Sequence, residues 1–219
     1  VTRFATRELE QRLLAELDES LGRPACLVGM DEVGRGSLAG PVAVGAVLIA
    51  SDSPPPPTGL ADSKVLSVKS RDELVHPIRE WAPGAVGYGS VETINTRGIV
   101  PALREAGMNA LAELPRQPDL VLLDGVHDWL TDADLFSSAA TPPVRTVVKG
   151  DLTCTVIAAA SILAKVARDS LMSRLDGGEG YSWSSNKGYA SPSHIEALTL
   201  LGPHHHHRTA WKLPGVAHE

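Results

Sequence analysis

Cysteine is scarce in this sequence: Cys26 and Cys154 are the only two among 219 residues. Two isolated thiols cannot build a disulfide framework, and neither has the nearby second cysteine that a zinc-ligand pair needs. Both read as buried thiols. No apolar run approaches the ~20 residues of a membrane-spanning helix. The N-terminus lacks the basic-then-apolar pattern of a signal peptide. A cytoplasmic chain with no membrane partner is expected. An excess of basic residues is missing too, with 20 Lys and Arg against 26 Asp and Glu, a formal net charge of −6. That sign is wrong for a nucleic-acid binder, whose affinity comes largely from cations meeting phosphates. The average conceals an asymmetry, because from Arg145 to Lys212 eight basic residues face five acidic ones. Bound metal would be a second way to neutralise the acidic remainder.

Neither internal repeats nor a clear linker divides the chain, so one main domain is expected over 1–219. Its 43% hydrophobic and 21% charged residues suffice for a full core and exclude wholesale disorder. Leu9, Leu13, Leu14 and Leu17 recur at helical spacing, which predicts an N-terminal helix over 6–21 with Thr6 as its cap. The segment CLVGMDEVGRG reads as a buried strand running into a glycine-rich turn, and VAVGAVLIA (42–50) as its hairpin partner. The proline run at 54–57 is loop. Helical patterns follow at 67–81 and 95–114, the second starting or kinking at Pro101, with a third strand near 85–92 between them. Short strands end at 119–125 and 144–151, an alanine-rich helix spans 155–175, and 177–188 is Gly/Ser loop. Residues 191–201 form a short helix, and the tail from Gly202 has no periodicity. Such an order is mixed α/β.

Four acidic residues stand where a solvated-surface explanation is weak. Asp31 and Glu32 close one apolar strand, Asp124 closes another, and Asp151 follows a third. Ligands of α/β sheets gather at the carboxyl ends of strands, so these acids can converge. Neighbouring residues on a strand face opposite ways, so Asp31 and Glu32 share a site only if the strand bends, for which Gly34 and Gly36 give scope. Converging carboxylates without basic partners repel one another and resist ionisation. Divalent cations relieve that repulsion, and oxygen-only donors favour Mg²⁺ or Mn²⁺. The alternative is four acids that cap helices or form ion pairs.

Six segments in order, VGMDEVGRGSLAGPVAVGAV, ADSKVLS, LLDG, KGD, IAAASILAKVARD and KGYASPSH, span most of the chain. They resemble the bacterial ribonuclease HII family. The resemblance implies a ribonuclease H-like fold, a mixed five-stranded sheet flanked by helices with a C-terminal helical extension from about residue 177. It puts catalytic, metal-holding carboxylates at Asp31, Glu32, Asp124 and Asp151. The implied activity is hydrolysis of RNA in RNA–DNA hybrids and 5′ of single ribonucleotides embedded in duplex DNA, with Mg²⁺ or Mn²⁺. Gly34, Arg35 and Gly36 match the segment that grips the backbone at the ribonucleotide. Tyr189 matches a tyrosine beside the sugar at the RNA-to-DNA junction. Lys64 and Lys149 read as phosphate contacts, against the plainer reading of solvated lysines.

Lys165 and Asp169 stand at i, i+4 on a helix. With Arg168 they read as structural or phosphate-facing groups, not metal ligands, and His194 reads as structural. His204–His207 reads as an exposed loop whose four side chains cannot all aim at one ion. His207, Arg208 and Trp211 align with the family's tail. Asn95, where the family has aspartate, and Pro101 depart from it. A monomer is expected. The rivals are a ribonuclease HIII-like enzyme, which normally carries an extra N-terminal domain, a DNA-cutting nuclease of the same fold, and a non-catalytic hybrid-binding module.

Overall fold

A computed structural model describes residues 5–61, 63, 66–131, 141–178 and 180–216. At its centre lie β1 (Cys26–Val33), β2 (Val42–Ala50), β3 (Gly84–Gly89), β4 (Leu120–Asp124) and β5 (Val144–Val147). They form a five-stranded sheet in the order β3-β2-β1-β4-β5. The first three make an antiparallel meander, while β4 joins β1, and β5 joins β4, in parallel. The expected mixed α/β sheet is what forms.

Strand alternation sorts the core into two layers. On one face Leu27, Val47, Ile49 and Leu122 meet α6 (Thr155–Leu175), with α1 (Glu8–Leu21) and α2 (Val68–Trp81) beside it. On the other, Val28, Met30, Val44 and Leu123 meet α4 (Ile99–Ala112), which follows the short α3 (Val91–Arg97). Fully buried side chains such as Leu27 and Leu122 each contribute about 1.5–3 kcal/mol. The alanines of α6 have a purpose here. A Cβ on Gly45 would stand 2.0 Å from the Ala160 carbonyl oxygen, and one on Gly29 would stand 2.6 Å from Val156. Helix and sheet thus touch backbone to backbone, which fixes α6 beside the end of β1.

The C-terminal region closes over that end. α7 (Trp183–Asn186) and α8 (Pro192–Leu201) pack Trp183, Ala197 and Leu198 with Leu38, Ala39 and Met172 in a third apolar cluster. Ser191 caps α8 by accepting from the His194 amide at 3.1 Å, with Pro192 in the first turn, where its missing N–H is not needed.

Some boundaries differ from expectation. Thr6 is not a cap: α1 starts after Arg7, which makes no side-chain cap bond, and Thr6 bridges instead to Cys154. The pattern at 95–114 is two helices parted at Gly98, whose φ of +93° lies in the region that only glycine adopts readily. Pro101 therefore falls in the first turn of α4 and breaks nothing. One helical turn, α7, interrupts the expected loop at 177–188. Both cysteines are free and buried, as expected. No helix among the described residues is long and apolar enough to cross a membrane.

Candidate active site

Parallel pairing sets three strand ends side by side. The β1–β4 ladder stops at Met30↔Leu123, which leaves Asp31 and Asp124 as the next residue on each strand. Asp124 pairs with Val147 of β5, and the chain turns back immediately afterwards. That turn places Lys149 at φ 56° and ψ 42°, a left-handed conformation unusual for a side-chain-bearing residue. It leads into the single turn α5 (Gly150–Thr153), whose amides face the end of β4. The Gly150 N–H donates to Asp124 Oδ1 at 2.7 Å, and that of Asp151 at 3.4 Å. Asp31 and Asp124 thus stand at adjacent strand ends, and Asp124 accepts from the turn that carries Asp151. Asp31 and Asp151 are each only 5% exposed, which a solvated-surface reading does not explain.

A bend in β1 is not what brings Asp31 and Glu32 together. The register with β2 runs unbroken through Asp31↔Gly45, Glu32↔Val44 and Val33↔Ala43. Beyond Met30, however, β1 has a partner on one side only. Both acids nonetheless line the same cavity of about 240 Å³. Burial pushes the Glu32 carboxyl above its ordinary range, Arg35 pulls it back, and the charge of Asp124 raises it again. Arg35 Nη1 lies 3.4 Å from Glu32 Oε1.

The Gly34–Gly36 loop continues the wall of this cavity. Two fully buried arginines hold it from behind. Arg208 donates to the carbonyls of Gly34 (2.7 Å), Arg35 (2.8 Å) and Gly40 (3.0 and 3.1 Å). Arg168, on α6, donates to Pro41 and Ala39 carbonyls (2.8 and 3.1 Å), to Ser37 Oγ (2.6 Å) and to the Lys187 carbonyl (3.0 Å). In a trans peptide the N–H opposes the C=O. With the Gly34 and Arg35 carbonyls turned onto Arg208, the amides of Arg35 and Gly36 point away from it. Gly34, at φ +85°, has no room for a Cβ, which would stand 2.0 Å from Arg168 Nε. Gly36 faces open space.

Tyr189 lines the same cavity, with Lys165 Nζ and Arg168 Cζ at 5.9 and 5.7 Å from its ring centre. Lys165 pairs with Asp169 at 2.9 Å, as the spacing suggested, and Arg168 is structural. His194 has a partner on each side: Nδ1 lies 2.9 Å from the Tyr189 carbonyl and Nε2 lies 2.9 Å from His207 Nε2. Burial, and then His194, pushes His207 down to about 4. His204–His207 is therefore not simply an exposed loop: His207 is fully buried, and His204 and His206 are half-buried. Asn95 accepts from the Ala210 amide (3.2 Å) and donates to the His207 carbonyl (3.3 Å). An aspartate there could not donate.

The side chain of Lys149 is exposed near this edge, and Lys64 lies outside the described residues. Sequence reasoning missed Arg208 as the support of the glycine loop. It also missed Ser63 and Ser161, whose hydroxyls pair at 2.9 Å in the cavity wall, and Arg71, whose Nη1 holds the Ser63 carbonyl at 2.6 Å. Their signal was faint, since serines and arginines usually mark surface.

The donor set at the edge is oxygen only, partly buried and mutually repelling, which fits hard divalent cations such as Mg²⁺ or Mn²⁺. Among the described residues, the one group of three or more candidate ligands with donor atoms all within 4.8 Å is His204, His205 and His206, not the carboxylates.

Comparison with known proteins bears on this arrangement. The sequence model of the family described as Ribonuclease HII matches residues 28–214. A ribonuclease HII of Streptomyces coelicolor is 46% identical over 187 residues, covering 84% of this chain and 76% of that protein. Among solved structures, the PCNA:RNase HII complex from Archaeoglobus fulgidus aligns with a TM-score of 0.67 and 28% identity, over 87% of this chain and 97% of that one. The ribonuclease H2 of Pyrococcus horikoshii aligns at 0.65 and 25%, over 86% and 94%.

Proposed function

The chain belongs to the ribonuclease HII family, and on that premise we propose that it hydrolyses RNA paired with DNA and cuts 5′ of single ribonucleotides embedded in duplex DNA, leaving a 3′-hydroxyl and a 5′-phosphate. What supports this reading is that Asp31 and Glu32 line one cavity with the Gly34–Gly36 loop, whose carbonyls Arg208 holds, and that Asp124 follows the last residue of β4 paired with β1.

Asp31, Glu32, Asp124 and Asp151 are the residues that would hold Mg²⁺ or Mn²⁺. Such ions, when bound, activate a water for in-line attack and stabilise the leaving oxygen. The chain's own residues position the substrate. The outward amides of Arg35 and Gly36 meet the ribose 2′-hydroxyl, the group that separates RNA from DNA. Arg35 exchanges its Glu32 partner for a phosphate, which a guanidinium can hold bidentately. Tyr189 presents a flat ring to the sugar on the 3′ side and favours deoxyribose there. Lys149 and Lys64 meet phosphates farther along. We read the protein as a cytoplasmic monomer with one catalytic domain.

The test is a duplex DNA carrying one ribonucleotide, incubated with Mg²⁺ or Mn²⁺. Cutting at the 5′ side of that nucleotide is expected, and EDTA should abolish it. Asp31→Asn and Asp124→Asn should each lower turnover by about 100-fold or more with the fold intact. Equal cutting of an all-DNA duplex would refute the substrate assignment. Binding without metal-dependent turnover would make the protein a hybrid-binding module instead.

A further inference from the structure

The run His204–His207 plays no part in the nuclease reading, yet the fold organises it. A turn closed by the His207 amide on the His204 carbonyl at 2.8 Å folds the segment back on itself. It gathers three imidazoles, with ring centres 3.9 Å (His204–His205), 4.0 Å (His205–His206) and 5.2 Å (His204–His206) apart. One ring nitrogen from each lies within 4.8 Å of the other two. His207 is turned out of the group, since its Nε2 meets His194 at 2.9 Å and its Nδ1 accepts from the His204 amide at 2.8 Å. Trp183, fully buried, makes a rigid floor at 5.5 Å from the His204 ring and 5.8 Å from that of His206. His205, on the other side, faces solvent.

We propose that His204, His205 and His206 form a binding site for one divalent transition-metal ion of the zinc or nickel kind, separate from the carboxylate edge. Ligand chemistry distinguishes the two places. Imidazole nitrogens select borderline ions such as Zn²⁺ and Ni²⁺, whereas carboxylate oxygens select Mg²⁺ and Mn²⁺. A tetrahedral ion with Zn–N bonds of about 2.0–2.1 Å needs its nitrogens roughly 3.3 Å apart. The nitrogens, within 4.8 Å of one another, would close to that spacing by side-chain rotation on the existing turn, with His204 Nδ1 giving up its 3.3 Å bond from the His206 amide if that nitrogen is the ligand. Solvent supplies the fourth ligand through the open side at His205.

The ion would pin a segment with a structural task. The His206 carbonyl accepts from the Gly40 amide at 2.8 Å, and Arg208, two residues on, holds the Gly34, Arg35 and Gly40 carbonyls. An occupied site therefore braces the support of the glycine loop without contributing a ligand to it.

The test is equilibrium dialysis of the full chain, free of any affinity tag, against Zn²⁺ in the presence of excess Mg²⁺. One bound equivalent of zinc is expected. The double variant His205→Ala, His206→Ala should bind it at least about tenfold more weakly, while Asp31→Asn, Asp124→Asn should retain it. His205 is exposed and the Gly40 bond is to backbone, so the histidine variant keeps its fold, which its circular dichroism checks. Zinc uptake unaltered by the histidine changes, uptake lost in the aspartate variant, or no uptake by the parent chain would each overturn the proposal.

Discussion

Replacing Arg208 with lysine separates charge from geometry behind the glycine loop. Burial, with Arg168 nearby, pushes the Arg208 guanidinium down to about 9, so its charge is held at a disadvantage and its fixed fork is what the site uses. Four hydrogen bonds to three carbonyls depend on that fork. An ammonium on a flexible stem can satisfy one of those oxygens in place. The Gly34 carbonyl keeps the Ser37 hydroxyl at 2.9 Å, so the loss falls on the Arg35 and Gly40 carbonyls. Bonds from a charged donor contribute about 1.5–3 kcal/mol each, which puts the destabilisation of Arg208→Lys at about 3 kcal/mol. For a chain of this size that is a fall of roughly 6–12 °C in Tm. The loop amides would also lose their aim, and a misplacement on the order of 1 Å lowers kcat/KM by about 100-fold. Urea unfolding and single-turnover cleavage of a ribonucleotide-containing duplex measure the two effects. A variant within about 0.5 kcal/mol and twofold of the parent would show that the guanidinium does not set the loop, and would refute the reasoning.

A Cβ at Gly36 would meet nothing within 4 Å, so Gly36→Ala should leave stability within about 0.5 kcal/mol of the parent. Its methyl group would stand between the loop and the substrate, so cleavage at the ribonucleotide should still fall; unchanged cleavage would remove the loop from the substrate contact. Glu10 is fully buried and accepts from Thr155 Oγ1 and the Val156 amide, both at 2.8 Å, at the start of α6. Burial raises its pKa above 4.5. A carboxyl raised by folding stabilises fully below its unfolded pKa, and that contribution is lost as pH climbs through the folded value. Glu10→Gln can keep both bonds and cannot titrate. The parent chain should therefore lose stability relative to the variant as pH rises from about 4.5, and parallel urea-unfolding curves across that range would contradict this.

Much of the fold is legible in the residues because hydrophobic period and glycine punctuation agree with the final packing. The β1–β2 hairpin, the alanine-rich α6 and the acids at strand ends all announce themselves locally. The rest depends on distant partners. Glu10 reads as one more polar residue on an amphipathic helix until α6 brings Thr155 and Val156 against it. Arg168 reads only as structural or phosphate-facing and Arg208 only as part of a tail pattern, since nothing local reveals that the segment from Gly34 to Pro41 turns its carbonyls inward to receive them. The expected bend at Asp31-Glu32 rests on strand parity, yet the register with β2 runs unbroken and both acids still line one cavity. The histidine run looked like an exposed loop because its binding partners, Trp183 and His194, lie on other segments. Pro101 suggested the wrong breaking point in a helical pattern, since Gly98 can take a positive φ and does.

Co-crystals grown with Mn²⁺ and a ribonucleotide-containing duplex, with diffraction collected at the manganese edge, would locate the ions directly. Anomalous peaks are expected between the scissile phosphate and the carboxylates of Asp31, Glu32, Asp124 and Asp151. Manganese found elsewhere, with those four carboxylates bare beside the bound duplex, would contradict the assignment of the sheet edge as the catalytic centre.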